Sequence, residues 1–175
     1  HSEMLEKMRA KKRKGPLFYI GSSIGSWRGA AFAAKNPLAS LKKLTESYMM
    51  QIYSSKPPRK DITDESARLL NDYLNDTEIH HILNRSKIRL SIISAYCPGL
   101  SGYENNFALA SSFLPAVMAN LVSRKLLLKI FSRTLFFAGT PPPFIYNFKT
   151  SKRIILTKEN LKKALLSSGS IPFAM

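Results

Sequence analysis

The stretch Leu17-Phe18-Tyr19-Ile20-Gly21-Ser22-Ser23-Ile24-Gly25-Ser26-Trp27-Arg28-Gly29-Ala30-Ala31-Phe32-Ala33-Ala34 decides how the rest of the chain is read. Leu17 to Ile20 is a short apolar run with Gly15-Pro16 on one side and Gly21 on the other, which predicts a buried strand. Ser26 to Ala34 reads as a helix. Between them Gly21-Ser22-Ser23-Ile24-Gly25 fits the pattern G-x-S-x-G. A nucleophilic serine has to project from a sharp strand-to-helix turn, where side chains two residues before and after it would collide. That makes Ser23 the candidate nucleophile and Gly21 and Gly25 its flanks. The helix points its N-terminus at the reacting centre, and the Ile24 N–H, directly after the serine, is the natural oxyanion donor. Gly25, Gly29 and Ala33 recur every four residues, a smooth stripe that lets the helix lie close on a sheet. The alternative is a Gly/Ser turn with no chemistry.

Outward from this turn the chain reads as α/β. Residues 2–14 look helical and end in the basic run Lys11-Lys12-Arg13-Lys14, which suits a helix C-terminus before Gly15-Pro16. Residues 38–53 and 63–83 look mainly helical, on either side of Pro57-Pro58. Ile88, Leu90 and Ile92 alternate within residues 87–95, a second strand. Residues 107–137 read as a long, mostly helical stretch bent near Pro115. Arg153 to Leu156 is a third strand, and Thr157 caps a helix over residues 158–167, with Asn160 where a capping-box acid would stand. No internal repeat or low-complexity segment is present.

The 175 residues suit one domain. No run reaches the roughly 18 uncharged apolar residues of a transmembrane helix. Cys97, the one cysteine, excludes an internal disulfide and favours a reducing compartment. A cytoplasmic or peripheral membrane location is the resulting expectation. The formal charge is +16, unevenly spread. Residues 1–60 hold 13 basic and 3 acidic residues, residues 61–110 hold 4 and 7, and residues 111–175 hold 10 and 1. Such a surface attracts phospholipid head groups, nucleic acid or acidic protein without choosing among them. In residues 107–137 apolar side chains combine with Arg124, Lys125, Lys129 and Arg133. This suits a helix at a lipid interface or over an acyl pocket, or else a core helix with a solvated basic edge.

No finger, RNA-recognition or helix-turn-helix pattern supports nucleic-acid binding. No metal is expected, since Cys97 is alone and His80-His81 lack spaced partners. No cofactor is expected either, because a Gly-rich phosphate loop with its lysine is missing. For a Ser-Asp-His triad, Ser23, Asp76 and His80 stand in the required chain order, but Asp76 and His80 are one helical turn apart on a surface helix, which is poor triad geometry.

Two separated blocks resemble the patatin-like phospholipase family. Phe18 to Ala34, "FYIGSSIGSWRGAAFAA", looks like its nucleophile block. Leu161 to Phe173, "LKKALLSSGSIPF", resembles its second block, where a helix ends in small residues and a proline near the site; here Ser168-Gly169-Ser170-Ile171-Pro172 fills it. The helical insert between them, at about residues 105–137, is also family-like. The resemblance implies an α/β, three-layer fold, with a central, mainly parallel sheet and helices on both faces. It also implies hydrolysis of acyl esters in lipids by a Ser–Asp dyad. The family's upstream Gly-rich oxyanion loop and its downstream Asp-Gly turn have no counterpart here: the chain has no Gly-Gly or Asp-Gly pair, and its last aspartate is Asp76. The expectation is therefore one acyl hydrolase domain over residues 1–175, incomplete at both ends, whose catalytic aspartate lies outside this chain. Its partners would be a lipid or acyl-ester substrate and an anionic membrane surface. The alternative is a catalytically silent basic module that binds lipid surfaces or nucleic acid.

Overall fold

A computed structural model describes residues 15–52, 57–84, 86–96, 132–143 and 152–170. In chain order these form β1 (Leu17–Ser22), α1 (Ile24–Ala33), α2 (Pro37–Met49), α3 (Arg59–Tyr73), α4 (Asp76–Asn84), β2 (Ile88–Tyr96), β3 (Ser132–Phe137), β4 (Lys152–Ile155) and α5 (Leu161–Gly169). The strands make one sheet in the order β1-β2-β3-β4. β1 and β2 run parallel, with Leu17 opposite Ile88 and Ser22 opposite Ile93. β3 runs antiparallel to β2, and β4 runs parallel to β3. The class is α/β with a mostly parallel sheet. Parallel neighbours need a crossover connection, and α1 to α4 supply the one between β1 and β2.

Local sequence explains where the helices start. Asn36 accepts the Ala39 N–H at 3.3 Å, and Pro37 follows at the first helical position, where its missing N–H costs nothing. The helix expected over residues 63–83 is two helices, because Leu74 leaves helical geometry and Asn75 caps α4 by accepting the Glu78 N–H at 2.9 Å. Before α5 the Asn160 carboxamide reaches back to the Thr157 N–H at 2.8 Å, so an amide does the work of the capping-box acid. The regular helix then begins at Leu161, three residues later than the sequence suggested.

Alternation along β2 sorts the two faces of the sheet. Leu90 and Ile92 are fully buried against Trp27, Leu44, Leu70, Tyr73, Ile82 and Leu165, so all five described helices share one core with this face. On the other face Ile93 packs with Leu135 and Phe137. Among the described residues no helix covers that second face.

The largest departure from the sequence reading is β3. The helical insert expected at about residues 105–137 does not run to its end: Ser132–Phe137 is a strand. Thr134, Leu135 and Phe137 are buried, and β3 bonds to a strand on each side. A β-branched and aromatic run held between two strands gains more from the sheet than its weak helix propensity offers. Residues 97–131, with Cys97 and the rest of that insert, lie outside the described residues, as do residues 1–14 with the Lys11–Lys14 run.

Candidate active site

β1 ends at Ser22 and α1 begins at Ile24, so Ser23 is the whole of the turn between them. Its dihedrals are φ 52° and ψ −137°, and it is the one non-glycine residue with positive φ among those described. An L-residue held there costs roughly 1–3 kcal/mol, and surrounding structure has to over-determine it. Here each backbone group of Ser23 is tied down. Its N–H donates to Ser168 Oγ at 2.9 Å, and the Ser168 hydroxyl donates to the Ile93 carbonyl at 2.6 Å. Its carbonyl accepts the Ser26 N–H at 2.9 Å and the Ser26 hydroxyl at 2.6 Å. Ser26 is fully buried, so its hydroxyl is fixed in that role. The Ser23 side chain is exposed and has no hydrogen-bond partner among the described residues.

The glycines around the turn do different jobs. A Cβ on Gly21 would lie 2.6 Å from the Gly25 carbonyl and the Ser26 nitrogen, so β1 and α1 can meet this closely only if residue 21 has no side chain. At Gly25 an added Cβ would meet nothing within 4 Å, so the steric demand expected on both flanks falls on Gly21 alone. Gly29 is where α1 touches the sheet: a Cβ there would strike the Tyr19 ring and come within 2.9 Å of Leu90. The Tyr19 hydroxyl donates to the Gly25 carbonyl at 3.1 Å, a second tie between β1 and α1. Burial pushes the Tyr19 pKa up, and the charge of Arg28 offsets part of that rise.

The two blocks singled out in the sequence meet. Ser23 and Ser168 are 145 positions apart and share a hydrogen bond. One turn along α1, Trp27 Nε1 donates to the Leu165 carbonyl at 2.9 Å, and Gly169 lies so close over the Trp27 ring that a Cβ would be 3.2 Å from it. The buried Tyr73 hydroxyl donates to the Trp27 carbonyl at 3.1 Å, which brings α3 to the same post. Ser168 and Ser26 are the residues that sequence reasoning passed over. Ser26 carried a signal, a serine three positions past a helix-start serine; Ser168 stood inside the second block as one small residue among several.

The arrangement presents a hydroxyl at the carboxyl end of β1, next to the parallel β2, on the side where open α/β sheets bind ligands. The Ile24 and Gly25 N–H groups belong to the first turn of α1, where no acceptor exists within the helix, so they face outward beside Ser23. The four aspartates lie elsewhere: Asp61, Asp64 and Asp72 on α3 and Asp76 at the start of α4, none bonded to Ser23. Asp76 pairs with Lys158 at 2.9 Å, and that hydrogen bond holds its carboxyl below the usual range. Asp72 accepts from Ser47 and Arg68. His80 is exposed on α4, and neither described histidine, His80 or His81, bonds to Ser23. Among the described residues no group of His, Cys, Asp and Glu could hold a metal ion, and no helix is long and apolar enough to cross a membrane. Comparison with known proteins finds no matching family model, no matching curated protein and no matching solved structure.

Proposed function

We propose that this chain carries the nucleophile of a serine lipid acyl hydrolase of the patatin-like kind, with Ser23 as the attacking residue. The observation that carries the reading is the Ser23 backbone: a strained, fully tied, single-residue turn between a strand and a helix, with an unengaged hydroxyl at its tip. In this reading Ser23 Oγ attacks the ester carbonyl and its proton passes to a carboxylate base. The oxyanion is held by the N–H groups of Ile24 and Gly25, the alcohol leaves, and water then releases the acyl group from Ser23. The base is an aspartate outside residues 1–175, completing a Ser–Asp dyad, because the four aspartates of this chain sit on α3 and α4. The three-layer patatin-like fold belongs to the same proposal, as does a peripheral location at an anionic membrane.

One observation favours a second reading, a basic module that binds a lipid surface without catalysis: no described carboxylate or imidazole engages the Ser23 hydroxyl. A fluorophosphonate probe separates the two. Labelling of the full-length protein that disappears in Ser23→Ala and persists in Ser22→Ala is the expected result. Labelling that survives Ser23→Ala, or its absence from the wild-type protein, would remove the hydrolase reading.

A further inference from the structure

Ile24 does more than follow Ser23. Its side chain lines a groove of about 680 Å³ between α1 and α2, a size in the range of ligand sites. Leu44, almost fully buried, forms the floor, and Leu41, Tyr48 and Met49 continue the apolar lining along α2. From Leu41 to Met49 is about 12 Å of helix at 1.5 Å per residue. Tyr48 is 54% exposed and Met49 is 79% exposed, so part of this apolar lining is open to solvent. Arg28, one helical turn from Ile24 on the same face of α1, also lines the groove and has no ion-pair partner among the described residues. The other charges along it, Lys42 and Glu46, pair with each other at 3.7 Å.

We infer that this groove is the acyl-chain subsite: a fatty acyl chain lies along α2 over Leu44, with its carbonyl end at Ile24 and Ser23. The inference rests on the hydrolase reading of Ser23 and specifies where its substrate is held. A single occupant accounts for the whole arrangement. The lining is apolar along α2, as a hydrocarbon chain requires, and it includes Ile24, the residue directly after the nucleophile, which brings the groove to where the ester has to be. The unpaired Arg28 lines the same groove one helical turn from Ile24, where it meets the carboxylate of a released fatty acid. Burying methylenes over such a lining strengthens binding by up to about fourfold for each one added, until the groove is full.

The test uses dansyl-labelled undecanoic acid as a fluorescent fatty-acid probe with the full-length protein. Saturable binding is expected, weakened tenfold or more in Thr45→Trp and Leu41→Trp, which fill the groove from α2, and severalfold in Arg28→Gln. Ser22→Ala, outside the groove, should bind as the wild type does. Circular dichroism and the thermal midpoint verify that each variant is folded, and the exposed Thr45 is the site least able to disturb the core. No saturable binding, or binding indifferent to both tryptophan variants, would overturn the subsite. Fluorophosphonate labelling is read separately. Labelling of Ser23 with fatty-acid binding unchanged by the tryptophans sinks the groove and leaves the nucleophile; groove-dependent binding without labelling does the reverse.

Discussion

Gly21 and Gly25 are equivalent in the G-x-S-x-G pattern and unequal in space. An alanine methyl at Gly21 would press on the Gly25 carbonyl and Ser26 nitrogen, backbone atoms that cannot rotate away. Gly21→Ala is therefore expected to destabilise by about 1–3 kcal/mol, the usual range for overpacking, and to slow Ser23 labelling by shifting the turn. Gly25→Ala meets open space, and in the first turn of α1 it should be neutral or stabilise by up to about 1 kcal/mol, since alanine is the better helix former. Urea unfolding of the two variants decides this, and equal losses at both positions would contradict the packing described. The position of Ser23 was legible because a strand pattern, a glycine pair and a helix pattern converge on one residue. The inequality of the glycines was not, because it depends on the angle at which α1 leaves β1.

Ser168 shows how elements hold the turn. It receives the Ser23 N–H and donates to β2 at Ile93, so α5 fixes both the turn and the strand beside it. Ser168→Ala should cost about 1 kcal/mol, the net value of a typical hydrogen bond, and lower the labelling rate of Ser23. Ser170→Ala, which loses only a bond to the Leu166 carbonyl within α5, should leave labelling unchanged. Equal effects from the two would show that Ser168 does not position Ser23. The α1, α3 and α5 junction gives a pH prediction. Burial raises the Tyr73 pKa well above its ordinary value near 10, so the folded protein keeps the phenol neutral while the unfolded chain ionises it. Stability contributed by neutral Tyr73 is fully present below pH 10 and is lost as pH rises above it. Unfolding midpoints should fall in alkali, less steeply in Tyr73→Phe, which removes this ionisation at the expense of the bond to the Trp27 carbonyl. A parallel fall in both proteins would exclude Tyr73 as the linked group. Of the elements, β1, β2, β4, α1, α2 and α5 were legible from pattern and caps. The strand β3 was not, because the basic residues before it repeat at helical spacing, and its pairing between β2 and β4 is non-local information that periodicity does not carry.

At the scale of the molecule the dominant fact is charge. Twenty-seven lysines and arginines face eleven acids, concentrated in residues 1–60 and 111–175. Within the described residues several acids are already paired, Asp76 with Lys158 and both Glu65 and Asp72 with Arg68. Such an excess acts at the reach of the Debye length, about 10 Å at 0.1 M salt and about 3 Å at 1 M. A protein drawn to a membrane by this field should co-sediment with phosphatidylserine-containing vesicles at low salt, release progressively as salt rises, and ignore pure phosphatidylcholine vesicles. The acyl groove acts at contact range and is insensitive to screening, so filling it with Thr45→Trp should leave low-salt recruitment to anionic vesicles intact while weakening fatty-acid binding. The sequence reading reached the charge but not this separation, which depends on finding Ile24, Arg28 and Leu44 around one groove. Recruitment that resists high salt, or that is equal on neutral vesicles, would mean that apolar insertion and not the field brings the protein to lipid. The exposed Tyr48, Met49, Met50 and Ile52 at the end of α2 would then be the first residues to replace with serine.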